Sequence, residues 1–174
     1  MVDFSGTFLP VTTPFDPVTG DVDVIAFRAN LRHWFKNPIR GILVAGSTGE
    51  SVFLDEQERV SLLEAARDVV PENALIIAGT GGESTRHTIR MTQQAADAGA
   101  DAVLVSPPAF FKGAMSPEVL ARHYVAVADA SPVPVLVYQV PLHLSTLEFP
   151  TRLVAELSRH GNIVGIKDSR GSLA

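Results

Sequence analysis

Short apolar runs alternate along this chain with longer segments of helical spacing. The runs are rich in Val, Ile, Leu and Ala, and glycine or small polar residues follow most of them. Apolar runs of this length are typical of strands that are buried on both faces of a parallel sheet. The pattern therefore predicts six strands, near residues 6–12, 42–45, 74–78, 101–105, 133–138 and 162–167.

The segments between these runs carry helix start and stop signals. Asp55 has Glu58 three residues later, which is the pattern of a capping box, and Ser116 stands directly before Pro117 as an N-cap residue does. Gly99 follows the segment 84–98 in the way of a glycine after a helix. Besides the helix at Asp55, helices are predicted to begin near Asp23 and Pro150, and Gly161 is predicted to end the last of them.

Strands and helices alternate at intervals of roughly 30 residues, the length of a βα unit. This spacing predicts a parallel sheet with right-handed crossovers, either an open doubly wound sheet or a (β/α)8 barrel. Neither common phosphate-binding loop is present. Gly79 and Gly81 are followed by Ser84 where a dinucleotide-binding loop has its third glycine, and the segment 46–51 lacks the lysine of a Walker A loop. Nucleotide binding is therefore not expected.

Of the three lysines, only Lys167 directly ends one of the apolar runs. An amine at the end of a core strand is partly desolvated and well placed to attack a carbonyl group. The alternative interpretation is a strand-end lysine whose ammonium group reaches for water. The strand pattern alone leaves both open.

Composition removes several classes of function. The 174-residue chain has a net charge of -5 and no cysteine, so a nucleic-acid surface, an anionic-membrane partner, disulfides and cysteine-ligated metals are not expected. No segment has the pattern of a signal peptide or the length of an apolar membrane span, which predicts a soluble cytoplasmic protein. The five histidines show no metal-ligand spacing with carboxylates.

Five motifs at the predicted strand ends resemble the dihydrodipicolinate synthase and N-acetylneuraminate lyase family of pyruvate-dependent class I aldolases. They occur in the family's order at residues 12–15, 46–50, 98–101, 138–141 and 165–168. Within the family the chain is most similar to 4-hydroxy-2-oxoglutarate aldolases, through residues 39–41, 111–116 and 167–169. The resemblance implies a TIM (β/α)8 barrel. Because eight βα units need about 250 residues, residues 1–174 are expected to form one barrel domain that is incomplete at its C-terminus, with about the first six units.

The resemblance also implies roles for individual residues. Lys167 would form a Schiff base with pyruvate or another 2-oxo acid, and Tyr138 would relay protons. Ser47 and Thr48 would bind the substrate carboxylate, with Thr12 also in contact with substrate. Plainer interpretations remain: Ser47 and Thr48 as helix caps, and Tyr138 as a core aromatic residue. The chemistry needs neither cofactor nor metal, and family members are usually homotetramers.

Three further positions affect the substrate. Ser169 is expected to contact it, or else to be a turn residue. Many family members have a tyrosine where Phe111 stands, which reaches a neighbouring subunit and completes a proton relay; phenylalanine does not transfer protons. The synthases have an arginine where His143 falls, and histidine does not supply the same bidentate grip on a dicarboxylic substrate. His143 is therefore a candidate for contacting the aldehyde, or a surface loop residue.

The leading hypothesis is a Schiff-base lyase that cleaves a 2-oxo acid such as 4-hydroxy-2-oxoglutarate to pyruvate and an aldehyde such as glyoxylate. One alternative is the condensation of pyruvate with an aldehyde, as in dihydrodipicolinate synthase. Another is a non-catalytic relative that binds 2-oxo acids.

Overall fold

The computed structural model describes residues 2–145 and 147–171. The chain divides into two compact units. The first comprises the chain through Gly79 together with Gln94–Ala102, and the second comprises Thr80–Gln93 and the chain from Val103 onward. None of the described helices is both long and apolar enough to cross a membrane.

The first unit is built on three parallel strands, each followed by a helix or the start of one. In chain order its elements are β1 (Phe8–Pro10), α1 (Val24–Trp34), β2 (Gly41–Val44), α2 (Glu56–Arg67) and β3 (Leu75–Thr80). β1 pairs with β2 and β2 with β3, and Leu9, Ile42 and Ile76 lie in register. Fully buried apolar side chains of strands and helices form the core between them, among them Phe27, Leu31, Ile42, Leu62 and Ile76.

The second unit repeats this arrangement. Its elements are α3 (Thr85–Asp97, of which the first part belongs here), β4 (Ala102–Val105), α4 (Pro117–Ala130), β5 (Val135–Gln139), α5 (Thr151–Leu157) and β6 (Ile163–Asp168). β4 pairs with β5 and β5 with β6, again in parallel. The core includes Val103, Leu120, Tyr124, Val127 and Leu153. The parallel βα alternation predicted from the sequence is thus confirmed in each unit.

The predicted helix starts are also found. The Asp55 carboxylate accepts a hydrogen bond from the Glu58 amide, and the Glu58 carboxylate accepts one from the Asp55 amide, both at 2.8 Å. Asp23 and Ser116 cap α1 and α4 with a single bond each, in which the side-chain oxygen accepts from the amide three residues later. These contacts satisfy amide groups that have no partner within the first helical turn.

The end of α5 and the exposure of β6 differ from the prediction. α5 ends at Leu157 rather than near Gly161, and the amides of Arg159 and His160 bond carbonyls three residues back in the turn that follows. β6 is not buried on both faces. Its Val164 and Ile166 side chains are 38% and 39% exposed, and they border an apolar groove beside α5.

Candidate active site

Lys167 and Tyr138 lie side by side on neighbouring strands of the second unit. The register of β5 and β6 pairs Tyr138 with Lys167, and the Lys167 Nζ atom lies 4.5 Å from the centre of the Tyr138 ring. Tyr138 is buried, and Lys167 is half-buried. A cation over the face of an aromatic ring is attracted by the ring quadrupole, so this contact restrains where the amine lies. An amine and a phenol are thereby held together at the carboxyl ends of two parallel strands, where such folds place their sites.

Asp168, which follows Lys167 in the sequence, forms an ion pair with Arg170. The Arg170 guanidinium donates to both Asp168 oxygens, at 2.6–3.1 Å, and to Glu148 at 2.8 Å. Hydrogen bonds from Arg170 lower the pKa of Asp168, and the same bonds raise the pKa of Arg170. Asp168 is therefore a charged partner of Arg170.

The segment after β5 is held closed by a side chain that the sequence did not single out. Gln139 is 2% exposed, and its amide nitrogen donates to the carbonyls of Val140 and Leu147 at 3.0 and 2.9 Å. Its amide oxygen accepts from the Phe149 amide at 2.8 Å. This one side chain closes the loop between β5 and α5. The available signal was an amide residue that ends an otherwise apolar strand.

His143 and Ser169, both predicted to contact substrate, have different surroundings. His143 is exposed on the loop that Gln139 closes. The Ser169 amide donates to the Gln139 carbonyl at 3.1 Å, which continues the pairing of β5 and β6 by one bond beyond Asp168. Ser169 is therefore fixed close to the Lys167 end of β6, whereas His143 projects from the loop surface.

The other predicted contacts lie in the first unit. Thr12 is exposed just after β1, and Ser47 and Thr48 are exposed in a 3₁₀ turn, Ser47–Gly49, that follows β2. The neighbouring Thr13 hydroxyl donates to the Gly49 carbonyl at 2.7 Å. This bond ties the segment after β1 to the turn that carries Ser47 and Thr48.

The turn differs from the predicted carboxylate cradle in one respect. The amides of Gly49 and Ser51 donate to the Gly46 carbonyl, and that of Glu50 donates to the Ser47 carbonyl, at 3.0–3.3 Å. These three amides are used within the turn and do not point to a ligand. Because Asp55 caps α2, the helix-cap interpretation of Ser47 and Thr48 is not needed for that helix. Their two hydroxyl groups remain the candidate carboxylate contacts.

Phe111 lies at an exposed corner of the segment between β4 and α4. It is 70% exposed and packs edge-on against Phe110, with ring centres 4.9 Å apart. The Glu83 carboxylate accepts hydrogen bonds from the amides of Ala109 and Phe110, the shorter at 2.9 Å. The corner that presents Phe111 is therefore fixed by an acidic side chain.

Within the described residues, no three His, Cys, Asp or Glu side chains come together as a set that could hold a metal ion.

Comparison with known proteins identifies the family of this chain and the fold to which its strands and helices belong. The chain is 40% identical over 171 residues to a probable mitochondrial 4-hydroxy-2-oxoglutarate aldolase of Emericella nidulans, which covers 96% of this chain and 55% of that protein. It is 37% identical over 170 residues to a 4-hydroxy-tetrahydrodipicolinate synthase of Syntrophus aciditrophicus, with 98% and 57% covered. The crystal structure of a dihydrodipicolinate synthase from Bacillus anthracis superposes with a TM-score of 0.89 at 34% identity, over 99% of this chain and 57% of that one.

The chain therefore spans a little over half the length of these relatives. Its fold is that of a partial TIM barrel with six parallel strands, as the sequence predicts. The model of the Dihydrodipicolinate synthetase family matches residues 3–174, which is nearly the whole chain. This match agrees with the alternation of strands and helices and with the lysine that lies beside a tyrosine at two strand ends. The chain therefore belongs to the Dihydrodipicolinate synthetase family.

Proposed function

We propose that this chain carries the imine-forming residues of a class I aldolase that acts on pyruvate or a related 2-oxo acid. The observation that carries the proposal is the position of the Lys167 amine over the Tyr138 ring at the ends of β5 and β6. A half-buried amine beside a buried phenol is the pair of groups that imine chemistry needs: a nucleophile, and a group that exchanges protons with it.

The proposed reaction begins when Lys167 Nζ attacks the C2 carbonyl of the 2-oxo acid and water leaves, which produces a protonated imine. In a 4-hydroxy-2-oxo acid the C4 hydroxyl then gives its proton to the Tyr138 oxygen while the phenol passes its own proton to a neighbouring water. The C3–C4 bond breaks, and its electron pair moves toward the imine nitrogen. An aldehyde departs and an enamine remains. Protonation of the enamine at C3 and hydrolysis of the imine release pyruvate and regenerate the amine.

Ser47 and Thr48 take the substrate carboxylate in this proposal, as the resemblance implies. Their support is the exposure of both side chains on a turn that the Thr13 hydroxyl holds in place. Thr12, Ser169 and His143 are the further proposed contacts. We also propose that the full-length protein is a homotetramer in the cytoplasm. Measurements of its size and of its subcellular localisation would test this.

The aldehyde is proposed to be glyoxylate, released from 4-hydroxy-2-oxoglutarate. A histidine at position 143, where the synthases have arginine, favours this substrate over the dicarboxylic substrate of a dihydrodipicolinate synthase. The second candidate is the synthase-type condensation, which the 37% identity to a 4-hydroxy-tetrahydrodipicolinate synthase supports. Comparing pyruvate release from 4-hydroxy-2-oxoglutarate with pyruvate consumption in the presence of aldehydes separates the two.

The deciding experiment is borohydride reduction of the purified protein in the presence of pyruvate, followed by intact mass and peptide mapping. The chain suits this test because it has only three lysines, and both Lys36 and Lys112 are exposed. We expect a single adduct, on Lys167. Lys167→Arg keeps the positive charge and should abolish the adduct, whereas Lys112→Arg should leave it unchanged. Absence of an adduct from the wild-type protein would favour a non-catalytic relative that binds 2-oxo acids.

A further inference from the structure

The segment that carries Ser47 and Thr48 is irregular, although several of its backbone amides bond within it. It consists of two short 3₁₀ turns, Ser47–Gly49 and Ser51–Phe53, joined by Glu50 in a left-handed conformation. A non-glycine residue with a positive φ, here 56°, costs free energy and persists only where the surroundings hold it. Contacts from outside the segment therefore help to hold its shape.

One side chain of α2 supplies such contacts. The guanidinium of Arg59 donates from Nη2 to the Ser51 carbonyl in a short contact, and from Nε to the Leu54 carbonyl at 3.3 Å. Its Nη1 atom lies 3.5 Å from the Gly79 carbonyl, at the end of β3. Burial lowers the pKa of Arg59, because the guanidinium is partly withdrawn from water where it makes these contacts. A planar guanidinium reaches several carbonyls at once, which a single ammonium group does not.

Two of the carbonyls that Arg59 contacts follow the turn of Ser47 and Thr48 in the chain, and the third belongs to Gly79 in β3, which packs against the start of the turn. On the C-terminal side, Ser51 donates its own amide to the Gly46 carbonyl, so that fixing Ser51 also fixes the start of the turn. On the N-terminal side, Gly79 lies against the Ala45–Gly46 peptide. A Cβ atom at Gly79 would come within 2.0 Å of the Ala45 carbonyl oxygen, and Ala45 itself has a left-handed φ of 53°.

From this geometry we infer that Arg59 is a positioning residue, which holds the turn of Ser47 and Thr48 in the shape that receives the carboxylate of a 2-oxo acid. The inference rests on the proposed function for the identity of the ligand. The role of Arg59 is indirect: it bonds the backbone that follows the turn and the Gly79 carbonyl of the neighbouring strand, and so restrains the segment that carries the two hydroxyl groups. Its loss should weaken carboxylate binding without removing the chemical step at Lys167.

The test compares Arg59→Ala with a matched control on the same helix, Arg67→Ala. Arg67 is an arginine at the other end of α2, half-exposed and paired with Asp101 at 3.3 Å rather than with the backbone of the turn. In the borohydride assay, Arg59→Ala should raise the pyruvate concentration that gives half-maximal adduct by roughly tenfold or more, with the maximal adduct yield unchanged. Arg67→Ala should give the wild-type concentration. Guanidinium ions added to Arg59→Ala should restore part of the loss.

A second readout needs no ligand. Amide hydrogen exchange across residues 46–54 should be faster in Arg59→Ala and unchanged in Arg67→Ala, because Arg59 restrains that segment. Equal exchange and equal half-saturation in the two variants would overturn the inference. If Arg59→Ala does not fold, Arg59→Lys decides, since an ammonium group replaces only part of the contacts. Wild-type behaviour of Arg59→Lys in both assays would then exclude a positioning role.

Failure of the proposed function has a different signature. In that case the wild-type protein forms no adduct at all, while the exchange comparison still decides whether Arg59 holds the turn. If the wild-type adduct forms but Arg59→Ala saturates at the wild-type pyruvate concentration, the aldolase proposal stands and the role of Arg59 is wrong.

Discussion

The Lys167 ammonium lies over the face of the Tyr138 ring, with Nζ 4.5 Å from the ring centre. The parallel register of β5 and β6 produces this arrangement, because it places the two residues opposite each other at the same level of the sheet. The ring restrains the amine, and its hydroxyl takes part in the proposed proton transfer. These two contributions of Tyr138 are separable by mutation.

Tyr138→Phe keeps the ring and removes the hydroxyl. We expect the borohydride adduct on Lys167 to form as in the wild type, while turnover of the 2-oxo acid falls by about 10²-fold or more, which is the usual contribution of a positioned acid–base group. Steady-state kinetics measure the second effect. The matched control is Tyr124→Phe, which removes the bond from Tyr124 to the Val105 carbonyl at 3.0 Å and should lower stability without a comparable loss of turnover. An equal loss of turnover in both variants would contradict a proton-transfer role.

Stability should fall in mild acid because of His123. This side chain is 4% exposed, its Nδ1 atom bonds the Thr85 hydroxyl at 2.9 Å, and burial lowers its pKa to about 4. The unfolded chain binds the proton near pH 6.5, whereas the folded chain does so only near pH 4. The free energy of unfolding should therefore be unaffected by this group above about pH 6.5, and should drop by up to about 3 kcal/mol between pH 6.5 and pH 4.

Urea unfolding at a series of pH values measures this effect. His123→Gln should flatten the dependence, because the substituted side chain does not titrate. His33→Gln provides the control, since His33 is exposed on α1. The same acid sensitivity in His123→Gln as in the wild type would assign the effect to other groups.

Gly79 should not tolerate a larger residue. An added Cβ would come within 2.0 Å of the Ala45 carbonyl oxygen, so the backbone of Ala45, just after β2, or of β3 would have to move. Gly79→Ala should lower the free energy of unfolding by about 1–3 kcal/mol, which is typical of overpacking. At Gly113 no heavy atom lies within 4 Å of an added Cβ, and Gly113→Ala should change stability by no more than about 0.5 kcal/mol. Thermal or urea unfolding of both variants tests the difference.

Gln139 should be important for the loop that carries His143. Gln139→Leu removes the partners of the buried Leu147 carbonyl, of the partly buried Val140 carbonyl and of the Phe149 amide, and each buried group left unsatisfied costs about 1–3 kcal/mol. We expect a clear loss of stability and faster amide exchange at Leu147 and Phe149, measured by mass spectrometry or NMR. Gln57→Leu, at an exposed position of α2, is the control and should leave that exchange unchanged.

The sequence determined the features that depend on near neighbours along the chain. The apolar runs predicted the six strands, and Asp55 with Glu58 predicted the start of α2, because a capping box involves residues only three apart. Lys167 and Tyr138 were predicted at the ends of consecutive strands for the same reason. Since parallel strands present their carboxyl ends together, the sequence also indicated that the two side chains meet.

Other features were decided by tertiary structure. The bonds of Arg59 to Ser51 and Gly79 join segments that are 8 and 20 residues away from it, and nothing in its local pattern distinguishes it from Arg67. The closure of the loop by Gln139 depends on a carbonyl and an amide that become its partners only when the loop folds back. A strand pattern reports that Val164 and Ile166 are apolar, but their exposure depends on which elements pack against β6. Local patterns determine secondary structure, whereas hydrogen bonds between distant segments become visible only when the chain is folded.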